Sequence, residues 1–433
     1  EQADLSATEV IQDPLQRREA VYQELVGHAE ATQADLRSSL EALGIDYRPY
    51  YLVNALEIDA GPVVRRWLEL QPEVDRVLDS PELRPLPFPV PTSRGDASSP
   101  PEPQWNLVTI GAPQVWEELG ARGAGIVIGQ SDSGVDGQHP ELLEQYRGNR
   151  PGGPTGGDYN WLDPWNNSPS PVDIGGHGTH TLATALGRSV GVAPDATWIG
   201  CVNLARNLGN PPRYLDCLQF HLAPFPQGGN PFQDGRPELG ANVLNNSWGC
   251  PEIEGCDANS LLPAVRALRA AGVFVVASAG NEGDACGSVS SPISLYDEVF
   301  TVGAIDSRGN VAPFSSRGPV TADGSERLKP DVVAPGVGVL SAFPAGTYQY
   351  SDGTSMAGPH VAGVVALMWS ASPQLIGDIE RTESILTASA RVGDAQESGL
   401  SNCGGDGEVA NNATGYGIVD AFAAVRMALE GGE

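Results

Sequence analysis

Gly353-Thr354-Ser355-Met356-Ala357-Gly358-Pro359-His360-Val361-Ala362-Gly363 reads as a tight turn that passes directly into a helix. Gly353 permits a sharp backbone, and Pro359 is expected within the first helical turn, where an N–H lacks an intrahelical partner. Beyond it Val361, Val364, Val365, Leu367 and Met368, with Ala362, Gly363 and Ala366 between them, leave almost no polar face. A helix apolar on all sides is a buried one. Ser355 is thus expected at the N-terminus of a core helix, where unpaired N–H groups and the helix dipole favour developing negative charge. Taken alone it reads equally well as a nucleophile or as a helix cap worth about 1 kcal/mol.

Two earlier stretches bear on that choice. Gly125-Ile126-Val127-Ile128-Gly129-Gln130-Ser131-Asp132-Ser133-Gly134 is an apolar strand ending in an acid and a glycine turn. Gly175-Gly176-His177-Gly178-Thr179-His180-Thr181 sets a histidine among glycines at the start of an Ala/Leu-rich helix. A nucleophile, its base and the orienting acid come from different elements, in an order set by the fold. The order here, Asp132, His177, Ser355, is that of subtilisin. The motifs D-S-G, H-G-T-H and G-T-S-M-A also resemble that family's. From Trp105 onward the chain resembles the subtilisin-like serine proteases (subtilases, peptidase family S8). Asn245-Asn246-Ser247-Trp248-Gly249 and Phe314-Ser315-Ser316-Arg317-Gly318-Pro319 most resemble the bacillopeptidase F branch.

The resemblance implies a serine endopeptidase acting on proteins and peptides. Ser355 would attack the carbonyl, His177 would carry the proton, and Asp132 would orient the imidazole. Asn281, between glycines in Ala277-Ser278-Ala279-Gly280-Asn281-Glu282-Gly283, would form an oxyanion hole with the Ser355 N–H. Alone, that asparagine reads as a turn residue. Asn246, Ser247, Trp248 and Gly249 look like the family's substrate strand, which pairs with an extended peptide through its main chain. Ser278, Ala279 and Gly280 would complete the pocket wall. Trp248 reads either as narrowing an adjoining pocket or as core. The chemistry needs no cofactor. Subtilases commonly hold structural calcium, so calcium is an open expectation to which no ligands are assigned.

Other chemistries lack their signatures. There is no H-E-x-x-H for a zinc protease and no G-x-S-x-G elbow, and the acid–histidine–serine order is wrong for an α/β-hydrolase. His28, His139, His180, His221 and His360 need no catalytic role. The formal charge of −29 over 433 residues argues against nucleic-acid binding. No run of about 18 apolar residues is present to span a membrane. Lys329 is the only lysine. The six cysteines allow fifteen pairings. Pairing near neighbours gives Cys201–Cys217 and Cys250–Cys256, leaving Cys286–Cys403. Disulfides suit a secreted enzyme, and free buried thiols are the alternative.

Short strands rich in valine and isoleucine are expected at Ile126–Ser131, Thr197–Val202, Val243–Ser247, Val273–Ser278 and Val299–Ala304. Helices are expected at 261–271, 357–370 and 420–430. Apolar strands separated by helices indicate an α/β fold, three-layered, with a mostly parallel central sheet. Asp132 at a strand's carboxyl end lies where ligands gather in such sheets.

Four segments are expected: a flexible 1–15, a small α+β unit over 16–84, a proline-rich linker over 85–104, and the catalytic domain over 105–433. Within 16–84 the pattern predicts a helix from Gln16 to Leu43, with Leu25, Ala29, Leu36, Leu40 and Leu43 on a stripe whose only polar member is Thr32. A strand over Tyr50–Ile58, a helix from Pro62 to Leu70 and a strand over Val74–Leu78 follow. This unit resembles the inhibitory, ferredoxin-like prodomain of subtilases. The resemblance therefore implies a monomeric secreted zymogen that cuts itself within the linker, before Trp105, and is inhibited intramolecularly by its prodomain. The competing reading is a subtilase-fold binding protein blocked permanently by that unit. Hydrolysis of small esters would be a side activity of the same acyl-enzyme chemistry.

Overall fold

The computed structural model describes residues 1–81, 95–205, 208–392, 403–404 and 410–431. Pro85, Pro87, Pro89 and Pro91 of the expected linker lie outside the described residues.

The N-terminal unit starts with helix α1 (Pro14–Leu43), opened by the Asp13 side chain accepting from the Gln16 N–H and closed by Gly44 in the left-handed region. Its buried face carries Val21, Leu25, Ala29, Gln33, Leu36 and Leu40. Thr32 and Leu43 point to solvent, so the buried polar member of the stripe is Gln33, whose Nε2 donates to Tyr50 O and Asn54 Oδ1. The single strand expected over Tyr50–Ile58 is instead a hairpin of β1 (Tyr47–Tyr50) and β2 (Ala55–Ile58), paired antiparallel. Its turn is held from outside: the Tyr51 and Leu52 N–H groups both donate to Gln219 Oε1, at 2.7 and 3.1 Å. The turn itself, residues 51–54, contains no glycine or proline to announce that reversal. Helix α2 (Pro62–Leu68) follows. The strand expected at Val74–Leu78 does not form; Val74 and Val77 pack instead against the small cluster of Leu36, Leu40 and Leu68.

The remaining chain builds a seven-stranded parallel sheet. Its strands are β3 (Val127–Asp132), β4 (Trp161–Leu162), β5 (Thr197–Val202), β6 (Val243–Asn246), β7 (Phe274–Ser278), β8 (Phe300–Ile305) and β9 (Val332–Pro335). They lie in the order β4-β5-β3-β6-β7-β8-β9. Every residue from β6 to β9 is buried, as expected of strands covered on both faces. The order doubles back at β3, which has β5 on one side and β6 on the other. Its carboxyl end, Asp132, is therefore the topological switch point of the sheet. A separate antiparallel hairpin, β10 (Val339–Phe343) and β11 (Thr347–Ser351), stands beside it.

One face of the sheet is covered by α3 (His177–Leu186), α6 (Thr354–Ala371) and α8 (Ala421–Glu430). The other is covered by α4 (Pro211–Leu222) and α5 (Leu262–Ala270). Helix α6 (Thr354–Ala371) runs through the core with only two residues of its last turn and Ser355 outside full burial. Helix α7 (Ile379–Ser389) and α8 (Ala421–Glu430) close the fold. Pro359 lies in the second turn of α6, not the first, so it interrupts the helical hydrogen bonding.

The N-terminal unit lies on α4 and α5. Val21, Leu25, Ala29, Tyr50, Tyr51 and Leu52 share one apolar cluster with Leu215, Leu218, Ala264 and Leu268. Tyr51 packs edge-to-face between Tyr22 and Phe232, and Arg48 pairs with Asp216 at 2.6 Å. All three expected disulfides are formed: Cys201–Cys217, Cys250–Cys256 and Cys286–Cys403. The only lysine, Lys329, is buried, its Nζ donating to Val299 O and Asp331 Oδ2 at 2.6 Å each.

Candidate active site

Asp132 ends β3 and is fully buried. Its Oδ1 receives the Ser133 N–H and the ring Nδ1 of His177, both at 2.7 Å. Gln130, two residues back on the same face, reaches toward Oδ2 and is anchored on Thr181 Oγ1 at 2.7 Å. His177 is the first residue of α3 and keeps about a third of its side chain exposed. Burial works against a charged imidazole, but the Asp132 carboxylate outweighs it and holds the His177 pKa above its ordinary 6.5. An imidazole with Nδ1 on a buried acid and its other edge open is arranged to take a proton on Nε2.

The sequence reading missed Asp173. This buried acid accepts from Gly175 N, Gly176 N, Thr179 N, Thr179 Oγ1 and Ser133 Oγ. The Ser133 hydroxyl in turn accepts the Gly178 N–H. Asp173 thus caps the His177 helix and ties it to the strand that bears Asp132. Burial pushes its pKa up, and the hydrogen bonds from Thr179 and Gly176 oppose that. No capping spacing marked it: the N-cap position is Gly176, and Asp173, four residues before His177, lies outside the spacing at which an acid ordinarily caps a helix.

Ser355 is the second residue of α6, and α6 packs directly on α3. Gly363 allows the close approach: a Cβ there would lie 2.8 Å from Ala185 O and 2.5 Å from Val192 Cβ. The Ser355 hydroxyl donates to Ser247 O at 3.2 Å rather than to His177. A nucleophile–base bond that forms only with substrate bound is common in empty sites.

The surroundings of Asn281, the expected oxyanion donor, are better defined. Asn281 Oδ1 accepts both the Thr354 N–H (2.9 Å) and the Thr354 hydroxyl (3.0 Å), which fixes the amide with Nδ2 as its free donor. Gly353 has φ 148°, a region L side chains avoid, and a Cβ there would lie 3.8 Å from Asn281 Nδ2. Glycine leaves that approach open.

The expected wall residues divide. The Asn246 side chain is fully buried and turned into the sheet, donating to Val276 O at 3.2 Å, so this residue has only main chain to offer a cleft. Trp248 belongs to the core, stacked on Tyr214 with ring centroids 4.2 Å apart. Ser247, Ser278 and Ala279 are buried, while Gly249 and Gly280 are partly exposed. Beyond Asn246 the chain leaves the sheet, so what it offers to a cleft is largely backbone. His180 and His360 are buried and held near pKa 4 by desolvation, hence neutral. Among the described residues no three His, Cys, Asp or Glu side chains gather to hold a metal ion.

The profile of the subtilase family matches residues 123–417, most of the chain. The chain belongs to the subtilase family. This subtilase is 35% identical to bacillopeptidase F of Bacillus subtilis (strain 168) over 96% of its own length and 29% of that protein's. It therefore spans about three tenths of that relative. It is 31% identical to M-protease of Shouchella clausii (strain KSM-K16), covering 74% of this chain and 70% of the relative. It is 34% identical to subtilisin Savinase of Lederbergia lenta, covering 62% and 85%. The match to bacillopeptidase F takes in the N-terminal unit of this subtilase as well as its sheet.

Proposed function

We propose that this subtilase is a secreted serine endopeptidase, monomeric, made as a zymogen and released by cutting itself between the N-terminal unit and Trp105. Ser355 Oγ attacks the peptide carbonyl as His177 Nε2 removes its proton. The oxyanion takes hydrogen bonds from Asn281 Nδ2 and the Ser355 N–H. The imidazolium, steadied by Asp132, then protonates the leaving amine, and water repeats the cycle on the acyl-enzyme. The observation that carries this reading is the 2.7 Å contact from His177 Nδ1 to buried Asp132, at the switch point of the sheet. Three disulfides agree with an oxidising compartment. The packing of α1 and the β1–β2 turn on α4 and α5 suits an intramolecular chaperone and inhibitor.

The test is incubation with casein and a serine-directed fluorophosphonate, beside Ser355→Ala, following intact mass. Loss of about the first 100 residues, casein cleavage, and labelling only where Ser355 is present are expected, 100 being the position of the linker. An intact, unlabelled and inactive chain would transfer the reading to a binding protein blocked by its own N-terminal unit.

A further inference from the structure

We infer that the carboxyl ends of β5, β3 and β6 enclose a built hydration site for about two ordered waters, on the sheet face opposite His177. Its placement follows from register. Ser131 is paired with Cys201 on β5 and with Asn246 on β6, so the three side chains share a face. The Cys201–Cys217 disulfide identifies that face as the one beneath α4. Gln130 and Asn245, hydrogen-bonded to each other, occupy the other face with Asp132. Asn203, two residues beyond Cys201, continues along β3 with its N–H on Asp132 O at 3.1 Å. Trp248, two beyond Asn246, stacks on Tyr214 of α4.

These four side chains are buried, yet five of their polar atoms find no partner among the described residues. They are Ser131 Oγ, Asn203 Oδ1, Asn203 Nδ2, Asn246 Oδ1 and Trp248 Nε1. Asn246 Nδ2 is committed to Val276 O, which leaves its Oδ1 as the open acceptor. The surroundings leave them unmet: Leu218, Leu244 and Ala277 form the adjoining apolar cluster, and His221 of α4, over Gly129 on the same face, has both ring nitrogens without a partner among the described residues. Buried polar groups are almost always hydrogen-bonded, to ordered water where protein offers nothing.

The donor set chooses the ligand. An indole N–H and an amide NH2 repel a cation, and none of the atoms carries charge to bind an anion. Three donors and three acceptors, counting the serine hydroxyl as both, match water. Adjacent strands lie about 4.8 Å apart, so the span from β5 to β6 is near 10 Å, too wide for one molecule. These waters would underlie the segment 247–249 and brace its backbone from behind. The inference does not depend on Ser355 being a nucleophile.

A crystal structure of the unmodified chain at about 1.5 Å, where ordered water is visible, is the direct test. Expected are at least two peaks within hydrogen-bond distance of Ser131, Asn203, Asn246 or Trp248. Thermal unfolding of Asn203→Leu and of Ser131→Ala adds a sign. In a hydrated site each variant strands the remaining partners and lowers Tm by about 2–4 °C. In a dry one each removes an orphan and leaves Tm unchanged or higher. Absence of density at those four side chains would overturn the inference, as would an unchanged or raised Tm for Ser131→Ala, which adds no bulk and so folds where Asn203→Leu fails to.

Discussion

Ser355 and Ser247 hold each other reciprocally: the Ser355 hydroxyl donates to Ser247 O, and the Ser247 hydroxyl donates to Ser355 O at 3.0 Å. The second bond exists because of Pro359. An ordinary residue there would donate its N–H to the carbonyl four residues back, which is that of Ser355. Proline has no N–H, and Ser247 fills the vacancy.

Ser247→Ala should therefore leave the Ser355 carbonyl unsatisfied, at a cost of about 1–3 kcal/mol. Turnover should fall about 10-fold or more if that bond sets the angle at which Ser355 is presented, one decade corresponding to about 1.4 kcal/mol. Adding Pro359→Ala supplies the missing N–H and should return part of the loss. Chemical denaturation and peptide hydrolysis on the single and double variants would measure this. A double variant no better than Ser247→Ala would refute the coupling.

Thr354 bears on the proposed oxyanion side. Thr354→Val keeps the shape and removes one of the two donors on Asn281 Oδ1, so the amide is less firmly aimed. We expect kcat to fall while KM stays put, the mark of an interaction made only in the transition state. Asn281→Leu should cost more, about 10²–10³ in kcat, a scale measured on subtilisin itself and carried over from that relative. Equal effects of Thr354→Val on kcat and KM would place its role elsewhere.

The pH dependence follows from the elevated pKa of His177. Only the neutral imidazole accepts a proton, so the acid limb of kcat/KM should have its midpoint above 6.5. Asp132→Asn removes the charge that sustains the shift while burial still opposes protonation. The limb should then move to lower pH as turnover falls, by about 10⁴ if the chymotrypsin-type triad is a guide. The linkage has a stability counterpart. A raised folded pKa contributes stability that is complete below the unfolded value of 6.5 and is lost as pH rises through the folded one. A pH–rate profile for both proteins checks the sign.

Gln219 should govern how firmly the N-terminal unit is seated. Gln219→Leu strands the buried N–H groups of Tyr51 and Leu52, an expected penalty of about 1–3 kcal/mol. Hydrogen exchange at those two amides should accelerate by one to two decades, about 1.4 kcal/mol per decade. If the unit acts as an inhibitor, proteolytic activity should appear sooner. Unchanged exchange at Tyr51 and Leu52 would mean that Gln219 is not the anchor.

The parallel sheet and helix α6 were legible because their composition is extreme: valine-rich strands and a helix without a polar face leave little choice. The β1–β2 hairpin was not. Its reversal is held by Gln219, 167 residues away from Leu52, and the turn residues 51–54 carry no glycine or proline to signal it. Asn246 and Trp248 show the same limit within the site. A motif fixes where its backbone lies, but parity along the strand decides which side chains face out, and here both face inward. Asp173 went unread because an acid before a helix is ordinary, and only the fold reveals that Ser133 shares it.

The burial of Lys329 has a practical corollary in bioconjugation. Across these 433 residues no side chain offers solvent a primary amine. An amine-reactive dye under native conditions should couple only at an α-amino group. Every backbone cut then adds one attachment point to the single α-amino group that each chain already carries. Dye incorporation would count processing events directly, and the proposed self-cleavage in the linker could be timed without a substrate.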